Sequence, residues 1–358
     1  MNEKQINPRD NNFGILRLLA AFMVIAGHNA VLTRTGIPYL FGYSVHGLGI
    51  RMFFVIGGFM ITKSWLSDSS PRRYIIKRFL RIFPSLIVYV LLVVFVLGAL
   101  MTTYSLKEYF SDPGTYSHLE NIWLKINYGL PGVFLENYYQ YAVNGSLWSL
   151  PTEVFNYFLI PLLLVIFRIN KSKKRNQYVY AVVIGVLWIL LQLARIQYFP
   201  NWSYYMGTVN IGPSLSLIPY YCMGSVLALP IAEKWFSPQW AMMLLLGYAC
   251  FNTNEEIAVT FMLLEIIFVP LFSYFIISFG NMKPPAFSGI TKGKEISYGM
   301  YLYGFPIQQT VICLFIRMQI STHPFVVLTI SSILTIVVAF LNKLLIEDKM
   351  QKLTKKIT

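Results

Sequence analysis

Two ionisable side chains share one face of the first apolar segment of the chain. Arg17 and His28 are eleven residues apart, which is close to three turns of an α-helix, so they lie on one side about 16 Å apart along the axis. A neutral imidazole can take a proton from a hydroxyl or attack a carbonyl carbon itself. The alternative is a histidine that only hydrogen-bonds two packed helices together. Because two ionisable groups share the face, the spacing favours a polar pathway along it.

Two arginines precede the third apolar segment. Arg78 and Arg81 are three residues apart and therefore share a helical face. Planar guanidinium groups donate several hydrogen bonds at once, so a pair of them suits a phosphate-bearing ligand. The same pair also fits an anchor of positive charge at the cytoplasmic surface of a membrane. Spacing alone leaves both interpretations open.

Three further charged residues lie at the ends of apolar segments. Glu153 begins the fourth segment, where we expect it at the depth of His28, either tuning the histidine ring or pairing with Arg51 of the second segment. Glu347 ends the last segment, level with Arg17 on the inner side. Ionisable groups inside a membrane are costly unless compensated, so each is a candidate for function.

The apolar segments that carry these residues are typical of membrane spans. Hydrophobic residues make up 56% of the 358 and charged residues only 12%, about half the charged fraction of a soluble domain. We therefore predict an all-α, polytopic transmembrane helix bundle that forms one domain over residues 1–358 and is surrounded by lipid bilayer. Its ten or so spans have the approximate bounds 13–33, 46–64, 82–103, 148–167, 179–196, 213–230, 239–251, 258–278, 297–316 and 325–342.

The positive charges are distributed unevenly between the two sides of such a bundle. Of the 29 Lys and Arg residues, 22 fall in the two terminal segments and in alternate connections. The positive-inside rule places these segments, and hence both termini, in the cytoplasm. The same bias accounts for the net charge of +14, so we expect no nucleic-acid partner.

The cysteines give no sign of a metal centre. Cys222, Cys250 and Cys313 fall in separate apolar segments and have no metal-ligand spacing. We expect them to be packing residues, and we expect no metal site.

Six stretches, in order along the chain, resemble the acyltransferase-3 family of membrane O-acyltransferases. They are ILRLLAAFMVIAGH, RMFFVIGGFMI, KRFLRIFP, NGSLWSLPTE, SYGMYLYGFPIQ and LLIED. The resemblance implies transfer of an acyl group, with acetyl as the expected one, from cytoplasmic acetyl-CoA or another acyl-CoA. The implied acceptor is a hydroxyl of a cell-surface, secreted or lipid-linked glycan, and the implied location is a bacterial inner membrane. Many relatives carry a fused hydrolase-like domain, and we expect this chain to be a stand-alone form.

The resemblance also assigns roles to residues. His28 takes the place of the catalytic histidine, to which we add Glu153 as a second catalytic candidate and Arg51 as a candidate for substrate binding. The implied acyl-CoA site consists of Arg78, Arg81, Arg17 and Glu347. Two positions depart from the family pattern: Gly57 stands where serine is usual, and Gly304 stands where many members have a histidine.

Two other classes of function have to be weighed against an acyltransferase. A transporter or flippase for a lipid-linked sugar would also have ten spans with polar groups in the membrane, but it would need neither the histidine above Arg17 nor the arginine pair. A non-catalytic partner in an envelope complex would leave the six motifs unexplained. The motifs favour the enzyme.

Overall fold

The computed structural model describes residues 11–140, 142–170, 173–198, 205–206, 209–251, 258–283 and 295–357. In these ranges the chain forms ten helices of 14 residues or more, followed by a shorter helix α11 (Asp348–Ile357). The ten are α1 (Phe13–Leu32), α2 (Val45–Ser67), α3 (Pro71–Leu92), α4 (Leu150–Ile166), α5 (Lys174–Tyr198), α6 (Ile211–Leu227), α7 (Pro238–Phe251), α8 (Ala258–Gly280), α9 (Ser297–Arg317) and α10 (Pro324–Asn342). Short helical turns lie in several connections, and two hairpins of two-residue strands are also described, β1 (Tyr39–Leu40) with β2 (Tyr43–Ser44), and β3 (Tyr205–Met206) with β4 (Val209–Asn210).

The predicted fold class is confirmed. Eight helical stretches of the described chain are long and apolar enough to cross a membrane, and they correspond to eight of the ten predicted spans. The remaining two, α6 and α7, are shorter, with 17 and 14 residues. The architecture is an all-α, polytopic helix bundle.

Helix α3 begins earlier than predicted. The third span was expected to start near residue 82, but α3 starts at Pro71, where the fixed φ angle of proline favours the first helical turn. The helix then continues through a π-helical stretch, Val93–Gly98, to Met101. Apolarity alone marks only the lipid-embedded part of a span. Arg78 and Arg81 therefore lie inside the helix, on a shared face, and not in a connection before it.

Helix α2 lies in the middle of the bundle, in contact with α1, α4, α6 and α8. Its approach to α6 depends on glycines on both helices. A Cβ atom on Gly58 would lie 1.9 Å from the carbonyl oxygen of Tyr221, and one on Gly224 would lie 2.1 Å from that of Val55. No larger side chain fits at either position, as is common where membrane helices pack closely.

The connection before α4 enters the bundle. The side-chain amide of Asn144 donates hydrogen bonds to the carbonyl oxygen of Leu302 (2.9 Å) and to the hydroxyl of Tyr89 (2.8 Å). The hydroxyl of Tyr301 donates to the carbonyl oxygen of Ser146 (2.7 Å). Both α9 residues lie in the second turn of that helix, near its first residue. Irregular backbone is tolerated at this depth because protein surrounds it, and α4 consequently starts deep within the bundle.

Candidate active site

A cavity of about 450 Å³ lies between α1, α2, α3, α4 and α9. Its inner end is charged, and its wall along α2 is mostly apolar. The charged side chains that line it are Arg17, Arg78, Arg81, Glu153 and Glu295. The predicted donor residues of α1 and α3 are thus brought together around one space.

The inner end of this cavity holds a network of ion pairs. Arg17 Nη1 lies 2.5 Å from Glu295 Oε2, and Arg81 Nη2 lies 3.4 Å from the same oxygen. Arg81 Nη1 lies 3.0 Å from Glu347 Oε2. Burial raises the pKa of Glu295, but the guanidinium groups of Arg17 and Arg81 outweigh burial and lower that pKa to about 2. The network links Arg17, Arg81 and Glu347, as the sequence indicated, through a carboxylate that the sequence analysis did not single out.

Arg78 has a different environment from Arg81. Its Nη2 donates a hydrogen bond to the hydroxyl of Ser64 (3.3 Å), and its guanidinium lies 5.5 Å and 5.9 Å from the ring centres of Tyr74 and Tyr157. Its Nε is buried and, within the described residues, has no hydrogen-bond partner. No carboxylate of the described chain lies within 4 Å of Arg78, so its charge remains available to an anionic ligand.

A second cavity, of about 430 Å³, adjoins the first on the side of α11. It shares Arg78, Arg81 and Glu295 with the first cavity, and it adds the amines of Lys77 and Lys343. Lys77 pairs with Asp68 at 3.0 Å, and Lys343 pairs with Asp348. We call this opening, with Lys77, Arg78, Arg81 and Lys343, the basic mouth. It lies at the end of the bundle that the distribution of Lys and Arg assigns to the cytoplasm.

Glu153 lines the first cavity, near its charged inner end, and does not lie beside His28. Its Oε1 accepts a hydrogen bond of 2.6 Å from the hydroxyl of Tyr157, and it lines the cavity together with Arg78 and Arg81. The predicted depth was wrong because the connection before α4 enters the bundle and lowers the start of that helix. In the described chain Glu153 is paired with neither His28 nor Arg51. The catalytic role of Glu153 remains a prediction, for a residue that lies near the charged inner end of the cavity.

His28 is buried, with 8% of its surface exposed. Its ring centre lies 5.1 Å from that of Phe305, which packs edge-on, and 5.4 Å from that of His46. Ile50 is the outermost cavity residue on α2, one turn from His46, so the open space ends about one helical turn short of the paired histidine rings.

Arg51 lies in the outer half of the bundle between two aromatic rings. Its guanidinium is 4.1 Å from the ring centre of Tyr43 and 5.3 Å from that of Tyr220, and Nη1 donates to the carbonyl oxygen of Gly47 (3.0 Å). The hydroxyl of Tyr43 donates in turn to Glu265 (3.0 Å). The arginine is therefore stabilised by cation–π contacts, and its predicted role in substrate binding remains a prediction.

Sequence reasoning missed two residues of this region. Glu295 lies in a connection whose lysines indicate its side of the membrane, but a carboxylate two residues before the SYGMYLYG stretch was a usable signal. His46 was overlooked as the first residue of a predicted span. Gly57, noted as a departure from the family pattern, is explained by packing, since a Cβ atom there would lie 2.8 Å from the ring of Tyr221.

Comparisons with known proteins identify the family of the chain. A family model described as an acyltransferase domain matches residues 10–342. A protein named "O-acetyl transferase" from Shigella phage Sf6 is 26% identical over 316 residues, which cover 85% of this chain and 86% of the relative. "Nodulation protein 10" from Rhizobium leguminosarum bv. viciae is 26% identical over 329 residues, which cover 85% of this chain and 84% of the relative. No solved structure is significantly similar to the chain. The family match spans nearly all of the bundle and both ends of the cavity, and the chain therefore belongs to the acyltransferase-3 family of multi-pass membrane O-acyltransferases.

Proposed function

We propose that the protein transfers an acetyl group from cytoplasmic acetyl-CoA to a hydroxyl of a glycan at the outer face of a bacterial inner membrane. One observation carries this proposal: a cavity whose cationic end opens beside α11 and whose apolar wall runs along α2 towards His28. A donor with phosphates at one end and a thioester at the other matches that gradient of polarity.

The donor would enter with its phosphates at the basic mouth. Arg78 is the best-placed first contact, because it forms no salt bridge within the described residues and its Nε lacks a partner. Arg81 already forms ion pairs with Glu295 and Glu347. It would therefore attract the phosphates mainly through its positive charge and form few new hydrogen bonds. The wall from Met60 to Ile50 extends about 15 Å along α2, and the apolar side chains there suit the uncharged arm of the donor.

The reaction moves one proton and replaces a carbon–sulfur bond by a carbon–oxygen bond. The acceptor oxygen attacks the thioester carbonyl carbon, the carbon–sulfur bond breaks, and the acceptor proton passes through His28 to the departing thiolate. In a second form of the reaction, His28 accepts the acyl group and then passes it to the hydroxyl. Both forms use a neutral imidazole.

The name of the phage relative, "O-acetyl transferase", supports acetyl as the group transferred. Support for a glycan acceptor comes from the family resemblance and from the position of His28 in the outer half of α1, opposite the donor mouth. A hydroxyl that reaches His28 from outside would meet a donor that reaches it from inside.

Purified full-length protein in lipid nanodiscs provides the test. With acetyl-CoA and a bacterial polysaccharide as acceptor, we expect free thiol to appear together with an equal amount of O-acetyl ester, detected by mass spectrometry. Thiol release that never yields an ester would contradict the proposal. So would transport of the glycan across proteoliposomes without any ester formation.

A further inference from the structure

A second histidine lies one helical turn beyond the outer end of the cavity. His46 lies in the first turn of α2, four residues before the cavity residue Ile50. The positions 46, 50, 53, 57 and 60 follow a spacing of three and four residues and share one face of the helix. Its ring meets that of His28 at 5.4 Å between centres, with an angle of 31° between the planes.

The two imidazole rings leave hydrogen-bonding groups unused. His46 Nε2 lies 3.2 Å from the hydroxyl of Ser44, but His46 Nδ1 is buried and has no partner in the described chain. No hydrogen bond joins His46 to His28, and no described protein group faces the ring nitrogens of His28 within hydrogen-bond distance. Buried polar atoms are nearly always paired, so the unpaired Nδ1 of His46 beside the ring of His28 indicates a place for a polar ligand.

The backbone of α1 is shaped to admit this ring. A Cβ atom on Gly27 would lie 2.6 Å from His46 Nδ1 and 2.7 Å from its Cβ. Any other residue at position 27 would push His46 away from His28, because its Cβ atom would clash with the backbone at the start of α2 as well as with the ring of His46. Meanwhile Ser44 caps α2 by accepting a hydrogen bond from the backbone N–H of Gly47 (3.3 Å), so His46 is not required as a cap.

We propose that His46 binds the acceptor hydroxyl beside His28, through its Nδ1 atom. The inference rests on the proposed function, because it identifies the group that positions the acceptor for the same reaction. The ligand is an alcohol of a sugar ring, which can donate its proton to His28 and accept a hydrogen bond from His46 Nδ1–H. As the oxygen attacks the thioester carbonyl carbon, the carbon–sulfur bond breaks, and the proton of the hydroxyl moves to His28 and from there to the departing thiolate. His46 keeps its own proton throughout.

Two matched substitutions separate a hydrogen-bonding role at Nδ1 from packing. Asparagine places an amide near the position of Nδ1, whereas glutamine places its amide near the position of Nε2. We therefore expect His46→Asn to keep the KM for the acceptor within about threefold of the original value, and His46→Gln and His46→Phe to raise it by about tenfold or more, the usual effect of losing one hydrogen bond. The KM for acetyl-CoA should not change in any of the three.

The measurement is ester formation by full-length protein in nanodiscs, with the concentrations of acceptor and acetyl-CoA varied separately. Equal acceptor KM values for the asparagine and glutamine variants would overturn the inference, as would a rise in both substrates' KM values together. If the phenylalanine variant does not fold, the comparison of asparagine with glutamine still decides. A failure of the proposed function would look different, because the unchanged protein would then form no ester with any acceptor.

Discussion

The carboxylate of Glu295 lies 2.5 Å from the guanidinium of Arg17 and thereby joins the first helix of the bundle to the start of α9. The same carboxylate contacts Arg81 at 3.4 Å, so three helices meet at a single acidic side chain. Glu295 therefore holds two arginines together at the charged end of the cavity. It therefore offers a direct test of how the arginines are held in place.

Glu295→Gln should destabilise the protein, because it leaves two partly buried guanidinium groups with less compensating charge. Breaking one partner of such a pair typically costs a few kcal/mol, so we expect a fall of about 5 °C in the melting temperature in detergent. Glu233→Gln, which removes an exposed partner of Lys63, is the matched control and should change the melting temperature far less. Equal shifts in the two variants would contradict a structural role for Glu295.

The pH dependence of unfolding provides a second test of the same residue. The folded-state pKa of Glu295, about 2, lies below its ordinary value of 4.5, so its ionised form stabilises the fold. That contribution is present above pH 4.5 and is lost as the pH falls towards 2. The melting temperature of the unchanged protein should therefore fall more steeply over this interval than that of Glu295→Gln. Parallel curves would show that Glu295 does not titrate with the shifted pKa.

His28→Ala should abolish acyl transfer while the protein remains folded. Loss of a general base typically costs two to four orders of magnitude in rate. The KM for acetyl-CoA should change little, because the proposed phosphate site is about 16 Å away, near Arg17. His323→Ala, which removes an exposed histidine at the start of α10, is the control and should retain full activity. Near-normal turnover by His28→Ala would return this histidine to a packing role.

The arginine pair of α3 should respond unequally to substitution by lysine. A lysine retains positive charge but not the planar set of donors. We expect Arg78→Lys to raise the KM for acetyl-CoA by about tenfold with little change in melting temperature, because Arg78 forms no salt bridge in the described chain. Arg81→Lys should lower the melting temperature as well, since it disturbs the contacts with Glu295 and Glu347. Unchanged donor affinity in the double lysine variant would leave both residues as membrane anchors.

Reporter fusions test the orientation on which the mechanism depends. The distribution of Lys and Arg predicts that a fusion near Lys173 is cytoplasmic and that one near Asp112 is external. Alkaline phosphatase and green fluorescent protein report the two sides with opposite signals. A reversed pattern would place the basic mouth outside the cell and exclude cytoplasmic acetyl-CoA as the donor.

Local sequence patterns predicted the helices well and the site unevenly. Runs of apolar residues located most span ends to within about five residues because a lipid-embedded segment has to be apolar along its whole length, but they placed the start of α3 eleven residues too late. The spacing of Arg78 and Arg81 predicted their shared face. The depth of Glu153 could not be predicted, since it depends on Asn144 and its partners elsewhere in the chain. The pairing of His28 with His46 likewise depends on how two helices cross, which neither segment specifies alone.

The connection that enters the bundle before α4 has a consequence for biogenesis. Asn144 hydrogen-bonds to Tyr89 and also to Leu302, which is 158 residues later in the chain. The second of these partners does not yet exist when the connection leaves the ribosome. At typical rates of synthesis the delay is on the order of ten seconds. During that interval the polar connection has to remain in water or against the insertion machinery. The first cavity is complete only when α9 has been made and packs beside α4. A truncation before α9 would therefore leave an inserted but unfinished bundle.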